Sequence, residues 1–125
     1  MRFFLKEFQQ IEAIRALYQT GSPTSKQLAG YIAPNYVSIF QEKMKDTANR
    51  ADFMNMRFYQ MLTLENGEHA YLTQKNQQFS LVILIKNNQV SQIYGDNWSD
   101  DPKDKLTMEG MLPHIISDGK YTEIY

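Results

Sequence analysis

The chain of 125 residues contains no cysteine and only two histidines. Without cysteine it can form no disulfide framework and no thiolate zinc site, and it has no thiol nucleophile. Its longest apolar run is Leu81–Ile85, far short of the ~20 residues that span a bilayer. The first residues also lack the apolar core of about 7–15 residues that a secretory signal needs. These absences predict a cytoplasmic protein without a membrane partner.

The chain also lacks an excess of charge of one sign. It carries 13 basic and 14 acidic residues, a net charge of −1. Because nucleic-acid-binding domains display a basic surface, we expect no nucleic-acid partner. No glycine-rich phosphate loop or serine-centred catalytic motif occurs. The two histidines, His69 and His114, do not have the spacing of metal ligands, so we expect neither a metal nor a cofactor.

The residues that are present predict helices in the first half of one domain. Apolar residues recur at helical spacing from Phe4 to Tyr18, and Thr24 with Gln27 has the spacing of a capping box before a short helix. The aromatic and β-branched stretch Tyr36–Phe40 predicts a strand. A further helix, capped by Asp46, Thr47 or Asn49 and reaching about Phe58, is expected to present one face consisting of Ala48, Ala51, Met54 and Phe58. The alternative is that the stretch from Phe53 to Phe58 extends the following strand.

From Tyr59 onward the apolar period changes to two, which predicts an antiparallel meander with strands at about 59–65, 68–74, 79–86 and 89–95. Asn66-Gly67 and Asn87-Asn88 suit type I′ hairpin turns, because these residues tolerate positive φ. Helices followed by strands predict an α+β fold, with three helices of the N-terminal half on the concave face of a curved sheet.

The last part of the chain, residues 99–125, differs in charge from the rest. It carries six acidic residues and three lysines, a net charge of −3. We interpret it as an acidic extension packed on the domain formed by residues 1–98. Pro102 predicts the first turn of a short helix, and residues 120–125 predict a final edge strand.

Two segments resemble those of a known family. Pro34-Asn35-Tyr36-Val37 leads into the first predicted strand, and the segment from Asn87 to Trp98 forms a closing hairpin that ends in aromatics and an aspartate. With the order of elements, residues 4–98 resemble the nuclear-transport-factor-2-like, or cystatin-like, superfamily, which includes SnoaL-type polyketide cyclases, ketosteroid isomerases and scytalone dehydratases. The resemblance implies a sheet wrapped into a cone whose mouth holds a small apolar ligand, and dimerisation through the outer face of the sheet.

Strand parity divides the meander into two faces, because opposite residues of an antiparallel pair share a face. If two-residue turns join the strands, the expected core face consists of Met61, Thr63, Ala70, Leu72, Phe79, Leu81, Ile83, Ile85, Val90, Gln92, Tyr94 and Asp96. The other face is half apolar and predicts a homodimer interface, because nothing else in so short a chain could cover it fully. The alternative is a partly exposed face with scattered apolar residues. The residues predicted for that interface are His69, Tyr71, Val82, Leu84 and Ile93.

The predicted ligand site is an apolar cavity with polar groups at its rim, as small-molecule sites usually are. Tyr94, Asp96 and Trp98 alternate at the end of the last strand and are expected to share one opening. For Gln92 and Asp96 the alternative is an exposed strand end. The predicted ligand-binding residues are Tyr18, Tyr36, Phe40, Met54, Phe58, Phe79, Leu81, Gln92, Tyr94, Asp96 and Trp98.

Three functions stay open on these grounds. The first is the binding of a small apolar or amphipathic ligand, and the second is a hydro-lyase or isomerase that uses Asp96, Tyr94 or His69 as acid or base. The third is a non-catalytic protein-interaction module with a filled cone. A cavity above ~300 Å³ separates the first two from the third. A carboxylate–histidine or carboxylate–tyrosine contact of ~2.6–3.2 Å inside the cavity separates enzyme from binder.

Overall fold

The computed structural model describes residues 5–63, 67–75, 78–95, 98 and 121–123. The predicted α+β class is confirmed, with helices first and an antiparallel sheet after them. The helices are α1 (Leu5–Gln19), α2 (Ser25–Leu28), α3 (Val37–Met44) and α4 (Thr47–Asn55). The strands are β1 (Arg57–Thr63), β2 (His69–Lys75), β3 (Gln78–Lys86), β4 (Gln89–Tyr94) and β5 (Tyr121–Glu123).

The five strands form one sheet in the order β4-β3-β2-β1-β5, and every described pair is antiparallel. The predicted meander is therefore confirmed, and so is the final edge strand, which pairs with β1. His114 and the helix predicted from Pro102 lie outside the described residues. None of the described helices has the length and apolarity needed to cross a bilayer.

The first two helices begin and pack as their local sequence predicts. In α1 the residues Ile11, Ile14 and Tyr18 are buried at helical spacing. The capping box of α2 is complete, because Thr24 Oγ1 accepts from the Gln27 N–H at 3.2 Å and Gln27 Oε1 accepts from the Thr24 N–H at 2.8 Å. Two of the orphan amide groups at the helix start are thereby satisfied.

The strand predicted over Tyr36–Phe40 is wrong, because this stretch begins α3. Val37, Phe40 and Met44 are buried and spaced three and four residues apart, while Ile39 between them is 47% exposed. Burial of this helical stripe overrides the weak preference of aromatic and β-branched residues for strands. The segment from Pro34 therefore leads into a helix, which removes one of the two segments behind the family resemblance.

Helix α4 starts where predicted but presents a different face. Asp46 caps it, accepting from two backbone N–H groups at 2.9 and 3.1 Å. The helix ends at Asn55, before Phe58. Ala48 and Ala51, expected on the buried face, are exposed, whereas Phe53 is fully buried. The ring of Phe53 determines which face of the helix is buried, because burying it removes far more apolar surface from water than burying a methyl group does.

An arginine from each of α1 and α4 binds carbonyls at the end of the other helix. Arg15 Nε donates to the Phe53 carbonyl and Nη2 donates to the Met56 carbonyl, both at 3.0 Å. Arg50 Nη2 donates to the Tyr18 carbonyl at 2.5 Å. The last carbonyls of a helix have no partner within it and favour positive charge nearby. The two contacts therefore satisfy both helix ends and hold α1 against α4.

The predicted face assignment is wrong for β2. Tyr71 pairs with Met61 on one side and Ile83 on the other, one residue out of the predicted register. Thr63 pairs with His69, whereas a two-residue turn at Asn66-Gly67 would pair Thr63 with Ala70. Because side chains alternate along a strand, a one-residue slip moves all of them to the other face. His69 and Tyr71 therefore face the helices, whereas Ala70 and Leu72 face away.

A β-bulge changes the faces at the end of β4 as well. Ile85 pairs with Val90 as predicted, but Leu84 pairs with Gln92, so that one extra residue is inserted in β4. Beyond this bulge the alternation is inverted. The side turned away from the helices, here the outer face, consists of Ala70, Leu72, Val82, Leu84, Gln92 and Tyr94, while Ile93 belongs to the core under the helices.

The five residues predicted as a dimer interface therefore do not form one surface. His69, Tyr71 and Ile93 lie on the helix side, and only Val82 and Leu84 lie on the outer face. Val82 and Leu84 are already 2% and 6% exposed in a single chain. The argument from uncovered apolar surface does not hold at these positions, and the homodimer stays a prediction.

The turn between β3 and β4 gives the first testable prediction. Asn87 and Asn88 have φ of 53° and 62°, which confirms the left-handed backbone expected there. Asn88→Gly should leave the free energy of unfolding unchanged or raise it. Asn88→Val should lower it by about 1 kcal/mol or more, because a β-branched residue is strained at positive φ. Urea unfolding measures both, and a Val variant as stable as the natural protein contradicts the turn assignment.

The contact between Arg15 and the end of α4 gives the second prediction. Arg15→Met keeps an unbranched side chain but leaves two carbonyls without their charged donor, so the free energy of unfolding should fall by about 2–3 kcal/mol. The control is Arg57→Met at an exposed arginine of β1, which should change it by no more than about 0.5 kcal/mol. Equal losses in urea unfolding would show that the Arg15 contacts contribute nothing specific.

Candidate functional site

Aromatic side chains pack against one another in the core between the helices and the sheet. The Phe40 ring contacts the rings of Tyr18, Phe53 and Trp98, with centroids 5.8, 5.1 and 5.5 Å away. All four residues are 3% exposed or less. Most of the predicted ligand-binding residues pack within this core or against it: Tyr18, Tyr36, Phe40, Met54, Phe58, Leu81 and Trp98.

The remaining predicted ligand-binding residues are elsewhere. Gln92 and Tyr94 lie on the outer face, so Tyr94 does not share an opening with the buried Trp98. Asp96 and the side chain of Phe79 lie outside the described residues. The structure therefore divides the predicted site between the two sides of the sheet, because the bulge in β4 turns Gln92 and Tyr94 outward.

A groove of about 640 Å³ opens on the outer face beside β4. The segment from Ala33 to Asn35 forms one wall. The other wall comes from the ends of β2 and β3, the β3–β4 turn and β4, and consists of Glu68, Leu84, Lys86, Asn87, Gln89, Ser91, Gln92 and Tyr94. The volume lies within the range of about 300–1,000 Å³ that small-molecule sites occupy.

Hydrogen bonds hold the two walls of the groove together. The Ala33 N–H donates to the Val90 carbonyl at 2.8 Å, and the Val90 N–H donates to the Tyr31 carbonyl at 3.0 Å. The Tyr36 hydroxyl accepts from the Ile93 N–H at 3.2 Å and donates to the Ile93 carbonyl at 3.4 Å. These bonds also satisfy backbone groups of β4, an edge strand that would otherwise offer them to another chain. The groove is thus formed before any ligand enters.

The lining offers hydrogen bonds of both kinds together with some apolar surface. Side-chain amides come from Asn35, Asn87, Gln89 and Gln92, and each amide can donate and accept. Apolar surface comes from Pro34, Leu84 and the ring of Tyr94. A lining of this kind suits a ligand with a polar end and an apolar part.

A polar cluster that sequence reasoning missed lies on the helix side of the sheet. Glu7, in the first turn of α1, is 9% exposed. Its carboxylate accepts from the Tyr71 hydroxyl at 2.5 Å and lies 2.7 and 2.9 Å from His69 Nδ1. The sequence does indicate that Glu7 is buried, because it lies four residues before Ile11 and continues the buried stripe of Ile11 and Ile14. The periodicity of apolar residues alone does not reveal it, because Glu7 is charged.

The environment of Tyr71 keeps its phenol neutral. Burial, the hydrogen bond to Glu7 and the Glu7 charge all raise the pKa of Tyr71 above its ordinary value of 10.0. Each cause acts in the same direction, because a phenolate there would be desolvated and would face a carboxylate. Tyr71 is therefore a hydrogen-bond donor and not a base. None of the three residues of the cluster lines the groove.

Comparison of the chain with models of protein families, with curated proteins and with solved structures finds no match. Neither fold relationship nor shared ancestry therefore identifies a ligand. The function has to be argued from the groove and from the residues around it.

The Glu7–Tyr71 contact gives a prediction for alkaline pH. Because the pKa of Tyr71 is higher in the folded chain than in the unfolded chain, its contribution to stability is complete below pH 10 and is lost as the pH rises above 10. The free energy of unfolding of the natural protein should therefore fall more steeply above pH 10 than that of Tyr71→Phe, by up to about 1.4 kcal/mol per pH unit. Parallel profiles in urea unfolding at successive alkaline pH values would contradict this account.

Proposed function

We propose that this protein binds a small amphipathic molecule in the groove on the outer face. The observation that carries the proposal is the groove itself, about 640 Å³ in volume and bordered by hydrogen-bonded walls. This volume exceeds the ~300 Å³ below which a drug-sized ligand has little room. A preformed site also binds without the cost of ordering its walls.

The chemistry of the lining supports an amphipathic ligand. Four amide side chains can orient polar groups by hydrogen bonds, and Leu84 with the Tyr94 ring can cover an apolar part. The family resemblance implies a ligand in a cone between the helices and the sheet. We place it on the opposite face instead, because the rings around Phe40 pack against one another in the core, whereas the groove lies on the outer face.

Two alternatives receive less support from the geometry. An enzyme needs an acid or base beside its substrate, but His69 and Tyr71 are bonded to Glu7 on the other side of the sheet. Tyr94 does line the groove, and Asp96 lies outside the described residues. A strand-pairing interaction through β4 is disfavoured because the Val90 and Ile93 backbone groups are already bonded. We therefore place binding ahead of catalysis and protein interaction.

A fragment screen followed by amide NMR tests the proposal. Small amphipathic fragments should shift the backbone resonances of Asn87, Gln89 and Ser91. Gln92→Trp fills the groove and should weaken each hit at least tenfold. Gln9→Trp, at an exposed glutamine of α1, is the matched control and should leave the affinities unchanged.

Three outcomes would overturn the proposal. The first is a screen without hits at the groove, and the second is a set of hits whose shifts map to other residues. The third is unchanged affinity in Gln92→Trp. Thermal unfolding of both variants accompanies the titrations, so that a loss of binding is separated from a loss of folding.

A further inference from the structure

The pairing of β3 with β4 orders the side chains along the groove. Lys86 is paired with Gln89 next to the turn, and Leu84 is paired with Gln92 one step further along. Facing residues of antiparallel strands share a face, with Cβ atoms about 4.5–5.5 Å apart. All four residues line the groove. The side chains of Lys86 and Gln89 therefore start side by side at the end of the groove next to the turn.

Apolar surface follows at increasing distance from Lys86. Leu84 lies two residues before Lys86 in β3, and Tyr94 is paired with Val82, four residues before Lys86. A strand rises about 3.2–3.4 Å per residue, which places Leu84 about 7 Å and the level of Tyr94 about 13 Å from Lys86. Leu84 and Tyr94 both line the groove. The groove therefore has a charged end at the turn and apolar surface beyond it.

Lys86 supplies a positive charge that no side chain neutralises. It is exposed, and it is the one cation among the described residues that line the groove. In the part of the chain that the structure describes, no carboxylate is ion-paired with it. Glu68 also lines the groove, but it already has an interaction partner and is not assigned to the ligand. The single positive charge at this end matches a single negative charge on a ligand.

The ammonium group and the neighbouring amide together suit a carboxylate. A lysine ammonium group offers three donors and no acceptor, and the amide of Gln89 offers two further donors. Hydrogen bonds between an ammonium group and a carboxylate are charge-assisted and stronger than those between neutral groups. A carboxylate at this end would therefore be both attracted and oriented.

We infer that the ligand is a monocarboxylate with an apolar chain. Lys86 binds its carboxylate together with the Gln89 amide, and its chain extends over Leu84 toward the Tyr94 ring. This inference rests on the proposed function, since it names the class of molecule that the groove takes.

Three related probes test the inference by amide NMR titration at low ionic strength. Octanoate has the carboxylate and the chain, octanamide has a chain of the same length without the charge, and acetate has the carboxylate without the chain. Octanoate should shift the amide resonances of residues 86–94 and bind about tenfold more tightly than octanamide, because only octanoate forms a charge-assisted hydrogen bond. It should also bind more tightly than acetate, which has no chain to bury. Octanoate that binds no more tightly than either of the others, or that causes no shift, would overturn the inference.

A substitution then assigns the charge to its residue. Lys86→Met removes the ammonium group and keeps an unbranched side chain, so the affinity for octanoate should fall about tenfold, to about that of octanamide. The matched control is Lys26→Met, at an exposed lysine of α2 that is not among the lining residues, and it should leave the affinity unchanged. Thermal unfolding of both variants shows whether they are folded. No fall in Lys86→Met, or an equal fall in the control, would overturn the assignment.

The two proposals fail in different ways. Fragments that bind the groove without any preference for carboxylates over amides overturn the monocarboxylate inference and leave the binding function standing. Absence of any groove shift, with fragments as well as with octanoate, overturns both.

Discussion

The arrangement of the sheet depends above all on the buried carboxylate of Glu7. A carboxylate that is 9% exposed is costly unless hydrogen-bond donors surround it. Tyr71 and His69 contact it from β2, and a slip of β2 by one residue would turn both of them away. The register of β2, and with it the pairing of β1 and β3, is therefore coupled to the position of α1. Because Glu68 precedes His69, the same register sets one end of the groove on the opposite side.

Because of its bulge, the edge strand β4 contributes side chains both to the core and to the groove. Before it, Val90 faces the core, and after it Ile93 does, while the residues on either side of Ile93 point into the groove. The Tyr36 hydroxyl bonds the backbone of Ile93 and so joins the start of α3 to this strand. The inserted residue thus directs the apolar side chains of β4 toward the core and its amide side chains toward the groove.

The candidate site was only partly predictable. Gln92 and Tyr94 are predicted as ligand-binding residues from their polar groups near a strand end, and both line the groove. The other described members of the predicted site, among them Tyr18 and Trp98, are core residues. Composition identifies side chains able to contact a ligand, but it does not distinguish an aromatic that lines a cavity from one that fills it. Apolar periodicity does not identify Glu7, because its partners His69 and Tyr71 come from a distant part of the chain.

The sequence by itself determined the features that depend on a few neighbouring residues. These are the α+β class, the four meander strands, the capping box at Thr24 and the left-handed turn at Asn87-Asn88. Only the tertiary structure decided that Tyr36–Phe40 begins a helix, which face β2 presents and on which side the groove lies. Each of these depends on packing between distant parts of the chain, as the sequence separation of 62 between Glu7 and His69 illustrates. Local preferences are weaker than the burial of apolar surface and the pairing of a buried charge, so such contacts override them.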